Sequence, residues 1–306
     1  MLKKILSLAT IAVLAYACDK VEAPYVVFDN NNGATITYFG ADSVQINNKL
    51  FVFNTVAQPV FKKVLMEEFT GHACGNCPTA GVYLNQTLQP QYGDSLVVIS
   101  IHAGSFAEPT SSLPNQPAGS FQSDHRCQTG NDWFAKFNVS FFPSGMVDQK
   151  GYPSSHLKPY ASWNANIQNR LALSPLYQIS MQTAYDSVSR SASVAVQTKS
   201  LTSANDTLKL QVVLTEDSII DWQEWYGHTP EYVPDFAHRH LLRGALNNSI
   251  GEVIYNGTIV SGDKCLRGYS YTLKPSWNAG HCHAVAFIAD ALTEEVLQVE
   301  EIKIIQ

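Results

Sequence analysis

Cys74 and Cys77 stand two residues apart in EEFTGHACGNCPTAG, residues 67–81. Three chemistries use that spacing: a dithiol that exchanges with other disulfides, half of a zinc site, and a disulfide kept for stability. In a redox pair the thiolate is the nucleophile, so the attacking cysteine needs surroundings that stabilise its charge. Cys74 is the candidate nucleophile and Cys77 the thiol that resolves the mixed disulfide. Glu68 closes the preceding apolar run, where a carboxylate beneath the pair would accept the proton of the resolving thiol. A zinc site would draw on Cys127 and His125 as well, but no second C-x-x-C accompanies the first. His72, close before Cys74, either helps to stabilise a thiolate or is an ordinary turn histidine.

Those residues need a scaffold, and the flanking pattern supplies one. FKKVLMEEF reads as a strand running into a core, TGHACGNC as a tight glycine-containing turn, and PTAGVYLNQTLQPQYGD as a helix. Ala80, Leu84 and Leu88 recur at helical spacing, and Pro78 falls in the first turn, where a missing N–H costs little. SLVVISIHAG is a continuous apolar run suited to a buried parallel strand. This order places Cys74 at the start of the helix, where unpaired N–H groups favour a thiolate, with Cys77 about one turn further in. A Ser- and Pro-rich stretch, 104–130, reads as a long inserted loop. NDWFAKFNV and HLKPYASWNANIQNRLAL read as helices, with Pro143 of SFFPSGMVD just ahead of another strand. After Ser174 the helical period gives way to alternating strands such as LYQISMQTAY, SASVAVQTK, LKLQVVLTE and HAVAFIAD, which predict a separate antiparallel sandwich. WYGHTPEYVPDFAHRHLLRGAL, inside that region, reads as a long crossing loop with a short helix.

The amino terminus sets the compartment. A basic MLKK precedes an apolar run, Ile5–Ala17, shorter than the ~20 residues that span a bilayer as a helix. Basic start, apolar stretch and Ala15-Tyr16-Ala17 make residues 1–17 an export signal. Cys18 stands directly after it, as in lipoprotein signals where the cysteine takes the lipid, although Ala15 occupies the usual leucine place. Cleavage by ordinary signal peptidase also starts the mature chain at Cys18. The envelope location permits disulfides. Cys265 and Cys282 are then expected to staple two sandwich strands, with Cys127 left over. The formal charge of −6 on 306 residues is mild and dispersed, so no nucleic-acid partner is indicated. His238-Arg239-His240 and His281-Cys282-His283 place histidines at i and i+2, which read as a metal patch or as ordinary strand-edge histidines. No cofactor is indicated.

KKVLMEEFTGHACGNCPTAG resembles the opening segment of thioredoxin-superfamily domains. More narrowly, EEFTGHACGNCP, FFPSGMVD, VVLTEDSI, HRHLLRGAL and HAVAFIADALTEEVLQ together resemble outer-membrane lipoproteins related to the 28-kilodalton outer membrane protein of Bacteroidetes-type bacteria. The resemblance runs from about Val64 to the end. It implies a thioredoxin-like domain followed by a β-sandwich, an outer-membrane location, and a cis Pro143 beside the dithiol as a wall of the substrate groove. Gly75-Asn76 between the cysteines, and the absence of a tryptophan before Cys74, depart from the usual thioredoxin pattern. The chain is thus expected to hold a signal peptide (1–17), a β-leaning lead (18–60), an α/β thioredoxin-like domain (61–173, with the 104–130 insertion) and an all-β antiparallel sandwich of immunoglobulin/fibronectin type (174–306). Two functions fit: thiol–disulfide exchange on cysteine-bearing exported proteins or a redox partner, or a non-enzymatic surface adhesin or assembly protein with an inert disulfide. Either would be lipid-anchored to the outer membrane, facing the periplasm or the surface.

Overall fold

A computed structural model of the chain describes residues 34–53 and 60–306. The predicted signal segment, Cys18 and the first part of the lead lie outside the described residues.

β1 (Ile36–Tyr38), β2 (Ser43–Ile46) and β3 (Lys49–Val52) form a small antiparallel sheet. β4 (Val64–Thr70) then leads through the cysteine turn into α1 (Cys77–Tyr83), which continues through a wider π turn, Leu84–Leu88, into α2 (Gln89–Tyr92) and on to β5 (Leu96–His102). β4 and β5 run parallel, from Val64 opposite Leu96 to Thr70 opposite His102. Every residue of β5 is buried, as its unbroken apolar run requires. Ala80, Leu84 and Leu88 pack the helix onto Val64, Met66, Val98 and Trp163. α3 (Gln128–Lys136), β6 (Ser144–Val147) and α4 (Trp163–Leu171) follow, with β6 antiparallel to β4.

The remainder is strand: β7 (Tyr177–Asp186), β8 (Ser191–Ser200), β9 (Ala204–Glu216), β10 (Ile219–Glu224), β11 (Tyr232–His238), β12 (Leu241–Ala245), β13 (Glu252–Ile259), β14 (Lys264–Thr272), β15 (Cys282–Asp290) and β16 (Val296–Lys303). β14, β8 and β7 make a three-stranded antiparallel sheet. Its Tyr177, Val194 and Val196 pack on Leu210, Val212 and Ala286 of β9 and β15. The small β1–β3 sheet lies against β8 and β14, with Ile46 and Phe51 meeting Ala195 and Leu266.

The two halves expected on either side of residue 173 are not separate layers. One sheet runs β16-β15-β9-β12-β5-β4-β6 across that boundary. The junction is a parallel pairing of Leu241 with Ser100, and the Ser100 N–H donates to His240 O at 2.8 Å. β12 thereby covers the edge that β5 would otherwise leave unpaired. The core crosses with the sheet: Leu65, Phe69, Ile99, Ile101 and Trp133 share one apolar cluster with Val213, Leu242, Val285, Phe287 and Val299. A buried ion network adds a second tie. Asp148 Oδ2 accepts from Lys62 Nζ and Arg170 Nε at 2.8 Å each, and Arg170 reaches Glu295 at 2.6 Å, just before β16.

The segment read as a crossing loop with a helix is instead β11 and β12. β10 and β11 pair only with each other, as a hairpin off the main sheet. Pro234 inside β11 and the polar run of β10 hide these strands from a pattern reading.

Candidate active site at the cysteine turn

Cys74 and Cys77 are joined as a disulfide, with Cα atoms 5.4 Å apart. Their turn closes through Cys74 N–H to Gly71 O and Cys77 N–H to Cys74 O, both 3.0 Å. Gly71 is required there, since a Cβ would stand 2.4 Å from Phe106 O. The expected placement on the helix shifts by three residues. Asn76 is the N-cap and Cys77 the first helical residue, so Cys74 sits in the turn ahead of the helix. The expectation that Cys74 takes the helix start is corrected, because the tight Gly71–Cys74 turn must close before helical geometry begins. Both cysteines are buried, at 3% and 2% exposure.

Pro143 is placed by β6. Phe69 of β4 is opposite Ser144, so Pro143 lies where β4 gives way to the cysteine turn. The Phe142–Pro143 peptide is cis. Phe142 packs edge-on to Phe106 at 5.5 Å, and Phe106 O accepts the Ala73 N–H.

Glu68 is buried on β4, at 2% exposure. Ser100 Oγ donates to its Oε2 at 3.3 Å, while Oε1 has no hydrogen-bond partner. Glu68, Cys77, Ser100, His102 and Gln223 line a half-open cavity of about 30 Å³, room for roughly one water. Burial raises the Glu68 carboxyl to about 7, against the pull of the Ser100 hydrogen bond. Glu67, next along the strand, faces the other side, accepts from Gln149 at 2.9 Å, and is pushed by burial to about 8.

Sequence reasoning missed a group of four histidines beside this cavity. His102, His125 and His238 have ring centroids 5.1–5.5 Å apart, and His72 joins at 6.1 Å from His125. His72 donates to Glu108 O and His125 to Asp221, at 2.9 and 2.8 Å. Burial lowers the pKa of His72, of His102 strongly, and of His238 to about 3. Asp221 is raised by burial, but hydrogen bonds from His125 and Ser123 outweigh that and hold it very low. These residues come from the turn after β4, the end of β5, the inserted loop and the hairpin, so only the tertiary fold unites them. The i, i+2 pairs do not work together: His240 contacts Gln89 at 3.0 Å and His283 pairs with Glu301 at 3.1 Å. Among the described residues, no His, Cys, Asp and Glu group is arranged to hold a metal ion.

The expected Cys265–Cys282 disulfide is absent; both are free thiols, as is Cys127. Cys265 pairs with Thr198 in the three-stranded sheet, whereas Cys282 pairs with Glu216 in the large one, so neighbouring sequence positions diverge into different layers. Burial raises Cys265 to about 11 and Cys282 to about 12, and raises Cys127 as well.

A family model described as outer membrane protein Omp28 matches residues 131–306. The chain belongs to the Omp28 family. The Omp28 match begins beyond the cysteine turn, so it takes in β6, α4 and the antiparallel half and leaves Cys74 and Cys77 to their own geometry. HBP35 of Porphyromonas gingivalis is similar in fold over 81% of this chain and 76% of its own, with 13% identity and a TM-score of 0.56. A domain of the outer membrane lipoprotein Omp28 from Porphyromonas gingivalis shares 25% identity over 43% of this chain and 89% of its own, with a TM-score of 0.29. Comparison with curated proteins finds no match. Omp28 is an outer-membrane family, and no helix among the described residues is long and apolar enough to cross a membrane.

Proposed function

We propose that this Omp28-family chain performs thiol–disulfide exchange on cysteine-bearing exported proteins, through a thioredoxin-like unit carried beside a sandwich-type module. It is anchored to the outer membrane by a lipid on Cys18. The observation that carries this reading is the buried Glu68, whose unpartnered oxygen and raised pKa adjoin a water-sized cavity lined by Cys77. A purely structural disulfide has no use for a buried carboxyl titrating near neutrality, whereas exchange must move a proton at the resolving sulfur.

A client thiolate attacks Cys74 Sγ, the Cys74–Cys77 bond breaks, and Cys77 leaves as a thiolate that takes a proton through Glu68. A second client thiolate attacks the mixed disulfide and releases Cys74. The client gains a disulfide and loses two electrons, and the pair becomes a dithiol.

The second reading, a scaffold with an inert disulfide, is favoured by the 3% and 2% exposure of the cysteines. Thiol trapping across a glutathione series separates the two. Exchange expects the pair to titrate between about −120 and −270 mV, and an inert disulfide stays oxidised to below about −300 mV. Cys77→Ser is expected to accumulate mixed disulfides with envelope proteins; an empty trap together with an irreducible pair overturns the exchange reading.

A further inference from the structure

The β10–β11 hairpin lies along the cysteine turn and donates backbone N–H groups to it. Glu224 N–H donates to His72 O and Tyr226 N–H to Gly75 O, each at 2.8 Å. From the intervening side, Gln223 Nε2 donates to Gly71 O and Cys74 O, both at 3.2 Å. The Tyr226 ring covers Gly75 so closely that a Cβ there would stand 2.4 Å from it. N–H groups two residues apart thus meet carbonyls on either side of Cys74, the donor spacing that an extended segment presents along one edge.

We propose that the carbonyl edge of His72 and Gly75 is the docking site for an extended segment of a cysteine-bearing polypeptide, and that Gln223–Tyr226 is a built-in stand-in which that segment displaces. This rests on the exchange reading above. The occupant is specified by what now sits there. The buried carbonyls demand donors, and a polypeptide strand supplies them at the period the hairpin uses. Such a strand also delivers a side-chain sulfur to Cys74, which the closed arrangement keeps from solvent. The hairpin is held unevenly. Its base is fixed by Asp221 to His125 at 2.8 Å, while the portion over the turn ends in the half-exposed Tyr226 and Gly227, whose φ is +78°. Lifting that end breaks the Gln223, Glu224 and Tyr226 hydrogen bonds to the turn, the Tyr226 ring contact and the ties of Tyr232 to Pro114 O and the Phe121 ring, and leaves the main sheet intact.

The test uses the full chain and two short extended peptides, one with two cysteines and one with serines in their place. The dithiol peptide is expected to reduce Cys74–Cys77 with saturating kinetics. Tyr226→Ala is expected to speed that reaction about tenfold, the effect of removing contacts worth one or two hydrogen bonds from the closed state. The serine peptide is expected to accelerate amide hydrogen exchange at Glu224 and Tyr226 in the wild-type chain, a readout independent of redox chemistry. Acceleration by the serine peptide with no reduction by either dithiol peptide or dithiothreitol keeps the docking site and removes the exchange reading. Unchanged amide exchange with the serine peptide, or a Tyr226→Ala effect confined to dithiothreitol, overturns the docking proposal.

Discussion

Burial sets the titration of Glu68. The folded-state value, about 7, lies above the ordinary 4.5, so the folded chain keeps a proton that the unfolded chain has lost. Its contribution to stability is complete below the ordinary value and fades as pH rises through 7. Glu68→Gln should therefore match the wild type near pH 4 and exceed it by up to roughly 3 kcal/mol at pH 8 to 9, measured by urea unfolding. The same variant should lose the pH inflection near 7 in the rate of peptide exchange. The position of Glu68 was legible, because the residue ends a run that leads straight into the cysteines. Its unpartnered oxygen was not, since that depends on Ser100 of the neighbouring strand, which bonds only Oε2. Cys265 and Cys282 misled for the opposite reason. Nearness along the chain suggested a bond, but β14 turns to β8 and β15 to β9.

Among the elements, β6 is the one that sets Pro143 against the turn, and its packing leaves no slack. A Cβ at Gly145 would lie 2.9 Å from Glu67 O and from the Trp163 ring, besides meeting Met66. Gly145→Ala should destabilise by roughly 1–3 kcal/mol, read as a lower urea midpoint with an unchanged slope. The β4–helix–β5 unit was readable because its apolar periods are unambiguous: a continuous run for a doubly covered strand, and four-residue spacing for the helix. The β10–β11 hairpin was not readable. Gln223 and Glu224 are polar yet buried, since they satisfy the carbonyls and turn beneath them, and Pro234 interrupts the partner strand. A strand whose inward residues bond to a loop carries no alternation to detect.

At the scale of the whole molecule, one sheet and one apolar cluster join residues 61–173 to 174–306. A fragment of residues 61–173 would expose Leu65, Phe69, Ile99 and Ile101, which now meet Val213, Leu242, Val285 and Phe287. It should fail to fold alone, giving neither cooperative melting nor dispersed amide signals, while the described parts of the intact chain unfold together by circular dichroism and tryptophan fluorescence. The change of period near residue 174 marked a real change of architecture but not a seam, because strand pairing ignores distance along the chain. Cys127, Cys265 and Cys282 are the unpaired thiols among the described residues. Each is driven toward its protonated form by the packing around it, and a protonated sulfur is a poor electron donor in exchange. At neutral pH the described part of the protein should thus behave electrochemically as a single two-electron couple, its other sulfurs spectators whose slow alkylation clocks how often the interior opens.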